Sequence, residues 1–123
     1  MTASSRLTAV GSERPVVIDE DHLGRMTLGD RSLEREVLEI FVRQTAIMLG
    51  RISDAEPSLA AAAAHTLKGS ARGIGAWRVA HAADWLEQAA GNGRNGDIDD
   101  AVEKLKAASL EVSAAIGARL ARR

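Results

Sequence analysis

The sequence predicts an all-α protein, an antiparallel up-and-down four-helix bundle preceded by a short N-terminal helix. Apolar residues recur at helical spacing in four long segments, and short connections rich in Gly, Pro, Asn and Asp join them. No stretch alternates with the period of a strand. The only β-branched cluster, Val16-Val17-Ile18, follows Pro15 and runs into Asp19-Glu20-Asp21. Of the 123 residues, 23 are alanine, which favours helices with close-packed interfaces. A chain of this length buries roughly two-thirds of its extended surface, enough for one core. Residues 1–15 read as a flexible polar lead-in, without the apolar centre of a signal peptide, and residues 16–123 as the bundle domain.

Each element has its own signals. Asp19 or Asp21 can cap a short helix carrying Leu23 and Met26 that ends near Gly29. Asp30 or Ser32 can cap the next helix, which runs to about Ile52 with Leu33, Val37, Ile40, Phe41, Ile47 and Met48 on one stripe. Leu38, Val42 and Leu49 form a second stripe on the other side, expected to pack against the short first helix. Pro57 marks the start of a third helix, with Ser53, Asp54 or Glu56 as acceptors for its free N–H groups and Gly73 and Gly75 loosening its end. A fourth helix from about Ala76 to Ala90 buries Val79, Ala83, Leu86 and Ala90. The run Gly91–Gly96 is a turn by composition, after which Asp97 or Asp99 caps a last helix carrying Ile98, Val102, Leu105, Val112 and Ile116.

Composition excludes several functions. Phe41, Trp77 and Trp85 are the only aromatics, too few for a base-stacking platform, and a net charge of −1 opposes phosphate-backbone binding, so no nucleic-acid partner is expected. The absence of cysteine removes disulfides, thiolate metal sites and Cys nucleophiles, and fits a reducing, cytoplasmic setting. The run Leu59–Ala64 is too short to span a membrane.

The chemistry is concentrated in His65-Thr66-Leu67-Lys68-Gly69-Ser70-Ala71-Arg72. With His65 set at zero on a helix, Leu59, Ala63, Leu67, Ser70 and Ile74 fall at roughly 120–200°, an expected core stripe on the far side. Ala61, Lys68, Gly69 and Arg72 fall within roughly 60° of the histidine, which should therefore face water beside two cations and minimal side chains. Glycine inside a helix costs about 1 kcal/mol against alanine, and Gly69 lies one turn after His65, where a missing Cβ lets something bulky approach the ring. Nearby cations favour the neutral imidazole, the form able to attack phosphorus, and would stabilise an arriving phosphoryl group.

The run His65-Thr66-Leu67-Lys68-Gly69-Ser70-Ala71, followed by Ile74-Gly75-Ala76, strongly resembles the histidine-containing phosphotransfer (HPt) domain family. Leu86-Glu87, Phe41 and Gly96-Asp97 look like further family positions, so the resemblance covers about residues 19–117. It implies a monomeric bundle whose His65 carries phosphate on Nε2 between receiver-domain aspartates in a multistep phosphorelay. Such a carrier is not an autokinase: it has no ATP site or cofactor of its own, and the Mg²⁺ needed for transfer belongs to the receiver. The implied partners are response-regulator receiver domains and a hybrid histidine kinase. The resemblance carries over Lys68 as phosphate-stabilising cation and Gly69 as the clearance position, with Ala61 and Ala62 as further small residues beside the docking path. Glu87 stands where the family often has a polar residue near the histidine, and the resemblance implies an orienting group there. Arg72 and Gly73 depart from the family's frequent small residue followed by Asn: Arg72 adds a cation, and Gly73 is expected to shorten the helix.

Other readings compete. A sensor-kinase dimerisation module generally shows an acidic residue after its histidine and a nearby proline, whereas Thr66 follows here with no proline. A plain helical adaptor would need no such histidine. His22 and His81 lack the accompanying lysine and glycine, and no metal site is expected because carboxylates at ligand spacing are missing. Trp77 and Trp85 fit either docking and self-association or partial cover by a turn.

Overall fold

The computed structural model describes residues 17–53, 55–92 and 95–122. The lead-in, Val16, Asp54, Gly93, Arg94 and Arg123 lie outside the described residues. Five helices follow one another: α1 (Glu20–Met26), α2 (Arg31–Ser53), α3 (Pro57–Ile74), α4 (Trp77–Asn92) and α5 (Asn95–Ala121), with no strand among the described residues. Helices α2 to α5 close an up-and-down bundle: each packs on the next, α5 returns to α2, and α1 lies against α3.

The caps follow local chemistry. Asp19 is the N-cap of α1, its Oδ1 accepting from the His22 N–H at 3.0 Å. Asp30 does the same for α2, accepting from the Leu33 N–H at 3.0 Å. Pro57 opens α3, but Glu56 makes no side-chain cap bond and Ser53 Oγ turns back to the Leu49 carbonyl, so neither supplies the expected acceptor. Gly73 does not shorten α3. The helix runs on to Ile74 and stops at Gly75, whose left-handed φ of 78° allows Ala76 N–H to reach the Ala71 carbonyl at 2.9 Å. The last helix begins at Asn95, so Asp97 lies inside its first turn rather than capping it.

Two core stripes differ from the periodicity reading. In α2 the buried residues are Leu38, Phe41, Thr45 and Ile52, while Leu33, Ile40 and Ile47 are exposed. Leu38 belongs to the core and borders the α2–α5 groove with Leu120; Val37, Ile40 and Phe41 share a cleft with Leu23 and Met26 of α1. In α3 the core is Ala60, Ala64, Leu67, Ala71 and Ile74, with Leu59 and Ser70 exposed. The buried arc is thus rotated by roughly 60° from the stripe that larger apolar side chains suggest, because alanines pack where helices approach closely. The expected residues of α4 and the Leu105, Val112 and Ile116 stripe of α5 are buried.

Candidate phosphoacceptor site

His65 stands in the middle of α3 with its side chain 68% exposed. Its Nδ1 lies 2.9 Å from Glu87 Oε2 on α4. Lys68 and the Glu87–His65 contact both hold the Glu87 carboxyl below its usual range, the lysine hydrogen bond most strongly. An ionised carboxylate only accepts, so the proton of the contact sits on Nδ1, and Nε2 is the nitrogen that Glu87 does not engage.

The rotation of the α3 core decides where Lys68 goes. Lys68 lies on the edge of the buried arc, and its side chain, 14% exposed, crosses to α4. There its Nζ meets Glu87 Oε1 at 2.7 Å and Asp84 Oδ1 at 3.0 Å. The contacts with Glu87 and then Asp84 raise the Lys68 pKa, and Lys68 is the main cause lowering that of Asp84. Asp84 is also held by Gln88, whose Nε2 donates to Oδ2 at 2.7 Å.

Glu87 therefore touches the histidine directly. Asp84 was not singled out from the sequence, although Asp84, Glu87 and Gln88 sit three and four residues apart on α4, the spacing of one helix face. Arg72 is exposed two turns after His65, and its charge contributes to lowering the Asp84 pKa. Gly69 is exposed, and an added Cβ there would meet nothing within 4 Å. Ala62 is exposed and Ala61 half-buried, so small side chains border the ring on α3.

The remaining histidines occupy different settings. His22 places Nε2 2.8 Å from the Arg72 carbonyl and its ring centroid 4.9 Å from that of Trp77. Trp77 is half-buried and donates from Nε1 to Asp19 Oδ2 at 3.0 Å, which fits partial cover by a turn, one of the two alternatives the sequence leaves open. Trp85 remains 39% exposed, with Lys104 Nζ 5.4 Å from its ring centroid. His81 is exposed. Among the described residues no group of three His, Asp or Glu side chains is placed to hold a metal, and no helix is long and apolar enough to cross a membrane.

A closed four-helix bundle that displays one oriented histidine on an open helix face defines a histidine phosphotransfer type of domain. The Hpt domain family model matches residues 36–120, more than half of the chain, and the chain belongs to that family. Its fold is similar to that of histidine-containing phosphotransfer protein B from Pseudomonas aeruginosa PAO1, with TM-score 0.82 at 18% identity over 89% of this chain and 99% of that one. It is also similar to a rice protein described as a histidine-containing phosphotransfer protein, with TM-score 0.77 at 16% identity over 95% and 87% of the two chains. No curated protein matches the sequence significantly.

Proposed function

We propose that the protein is a phosphoryl carrier of a multistep phosphorelay, taking phosphate on His65 Nε2 from a receiver-domain aspartate and passing it to another receiver. The observation that carries this reading is the His65–Glu87 contact, which engages Nδ1 rather than Nε2 and so keeps Nε2 as the nitrogen that can take phosphate. In the transfer, the Nε2 lone pair attacks phosphorus, a P–N bond forms, and the P–O bond to the donor aspartate breaks with its carboxylate as leaving group. The reacting form is the ring that carries its one proton on Nδ1, so no proton has to leave Nε2. The ring gains positive charge as the bond forms, and the Glu87 carboxylate at Nδ1 stabilises it. Reversal of the same steps delivers phosphate onward, so the carrier serves either direction.

Lys68 and Arg72 add positive charge for the phosphoryl oxygens, Lys68 while anchored to α4 and Arg72 from the open face. The chemistry uses no nucleotide or metal of this chain; Mg²⁺ comes with the receiver. The partners are receiver domains, including that of a hybrid histidine kinase, and the carrier works as a monomer in the cytoplasm.

The receiver approaches from the α2 side. Gly69, Ala61 and Ala62 leave room beside the ring. Two apolar recesses continue from there between α2 and α3: one borders Ala62, Thr66, Met48 and Leu59, the other Ser70, Gly73, Ile40 and Phe41. Exposed Ile40 and Leu59 line them.

The test is incubation with a receiver charged by acetyl phosphate, without ATP or kinase. His65→Ala and His65→Gln should accept no phosphate while keeping the wild-type helical signal and melting point, since an exposed side chain contributes little to stability. The wild-type label should be acid-labile and alkali-stable. Labelling of the mutants at His22 or His81, or an acid-stable label on Ser70 or Thr66, would overturn the assignment.

A further inference from the structure

We propose that Asp84 is a positioning residue for His65, acting through Lys68 and Glu87. This rests on the reading of His65 as phosphoacceptor but concerns a residue that reading does not use. The chain of contacts is continuous: Asp84 Oδ1 to Lys68 Nζ at 3.0 Å, Lys68 Nζ to Glu87 Oε1 at 2.7 Å, Glu87 Oε2 to His65 Nδ1 at 2.9 Å.

Each link constrains the next. Among the described residues, Glu87 is the group that engages a ring nitrogen of His65, and it does so only while its carboxylate stays turned toward Nδ1. One of its oxygens is held by Lys68, and lysine is a flexible stem carrying a strongly hydrated point charge that readily swings into water. A single partly exposed ion pair restrains such a side chain weakly. Two carboxylates on successive turns of α4 restrain it better, and the ammonium is accordingly drawn down between the helices, 14% exposed. Asp84 is itself oriented by Gln88 on its other oxygen at 2.7 Å, so the anchor is built from both sides.

With Asp84 neutralised, Lys68 keeps one carboxylate partner instead of two and is freer to swing into water, and the Glu87 carboxylate loses the anchor on one of its oxygens.

The experiment reads the ring nitrogens directly. Long-range ¹H–¹⁵N spectra of the full chain report His65 Nδ1 and Nε2, and phosphoramidate, a small donor that needs no docking surface, reports its reactivity. In wild type, Nδ1 should show the shift of a protonated nitrogen and Nε2 that of an unprotonated one. In Asp84→Asn the two shifts should converge and labelling by phosphoramidate should slow about tenfold, the scale on which outer partners of a functional histidine act. Asp84→Glu, which restores the charge, should recover most of both, and amide spectra should show an unchanged fold throughout. Native ring shifts in Asp84→Asn would overturn the proposal, whatever the labelling rate. If wild type takes no phosphate from any donor, the carrier reading fails, and the ring shifts still decide the role of Asp84.

Discussion

Glu87 and His65, twenty-two residues apart in sequence and on different helices, meet at 2.9 Å, and Lys68 joins the same carboxylate at 2.7 Å from the other side. One glutamate thus meets the histidine on one oxygen and the neighbouring lysine on the other. The lysine of the motif is thereby part of the support for the histidine as well as a source of positive charge.

Lys68→Ala should impair transfer more than Arg72→Ala. Removing Lys68 leaves Asp84 and Glu87 as neighbouring carboxylates without their shared cation, whereas Arg72 is exposed. The loss of a well-formed charge-assisted contact is worth about 1.5–3 kcal/mol, or roughly tenfold or more in transfer rate or phosphohistidine half-life. Side-by-side rates and half-lives check this, and equal values for wild type and Lys68→Ala would remove the lysine from the mechanism.

Gly69→Gln should separate folding from docking. A side chain there enters open space and gains about 0.5–1 kcal/mol of helix propensity over glycine. The urea midpoint should stay or rise, transfer from a charged receiver should be blocked, and labelling by phosphoramidate should persist. Unimpaired receiver transfer would place the docking path elsewhere; loss with both donors would assign Gly69 to the chemistry of the ring itself.

Gly75→Ala should destabilise the bundle without touching the site. The position has φ 78°, and an added Cβ would lie 2.9 Å from Asp19 Cβ and 3.1 Å from the Asp19 carbonyl oxygen. Asp19 cannot readily retreat, since its N–H donates to the Gly75 carbonyl at 2.9 Å and its side chain binds Trp77. Strain of this kind costs about 1–3 kcal/mol, which the shift of a urea unfolding curve measures.

Acid should weaken the fold through three carboxylates whose pKa values are lowered: Asp84 by Lys68, Glu87 by Lys68 and then His65, and Asp19 by Trp77 and the His22 N–H. A carboxylate held below its ordinary value stabilises the native state above that value, and the contribution is lost as pH falls through the lowered one. The ordinary values are 3.8 for Asp and 4.5 for Glu, so urea midpoints should hold steady from neutral pH down to that range and fall below it. Asp84→Asn should show a shallower fall. Lys68, raised above 10.5, has the opposite sign, so its contribution persists through neutral pH and is lost only in strong alkali.

Much of this protein is determined by its sequence alone. Helix ends are local chemistry, so Asp19, Asp30, Pro57 and Gly75 mark them as the sequence predicts. His65, surrounded by Lys68, Gly69 and Arg72 at helical spacing, is legible as an exposed histidine because exposure needs only the side opposite a core. What only the tertiary structure decided is where that core lies around each helix. In α3 the apolar contrast is weak: five consecutive alanines, Ala60–Ala64, fit either inside or outside, and it is the packing of α3 among its neighbouring helices that buries Ala60 and Ala64 and leaves Ala62 exposed. That choice turns Lys68 toward α4 and leaves Leu59 and Ser70 in the open. It also brings Asp84 and Glu87 to the site, because an ion pair between helices depends on the rotation of both, and the spacing along either one carries no record of it.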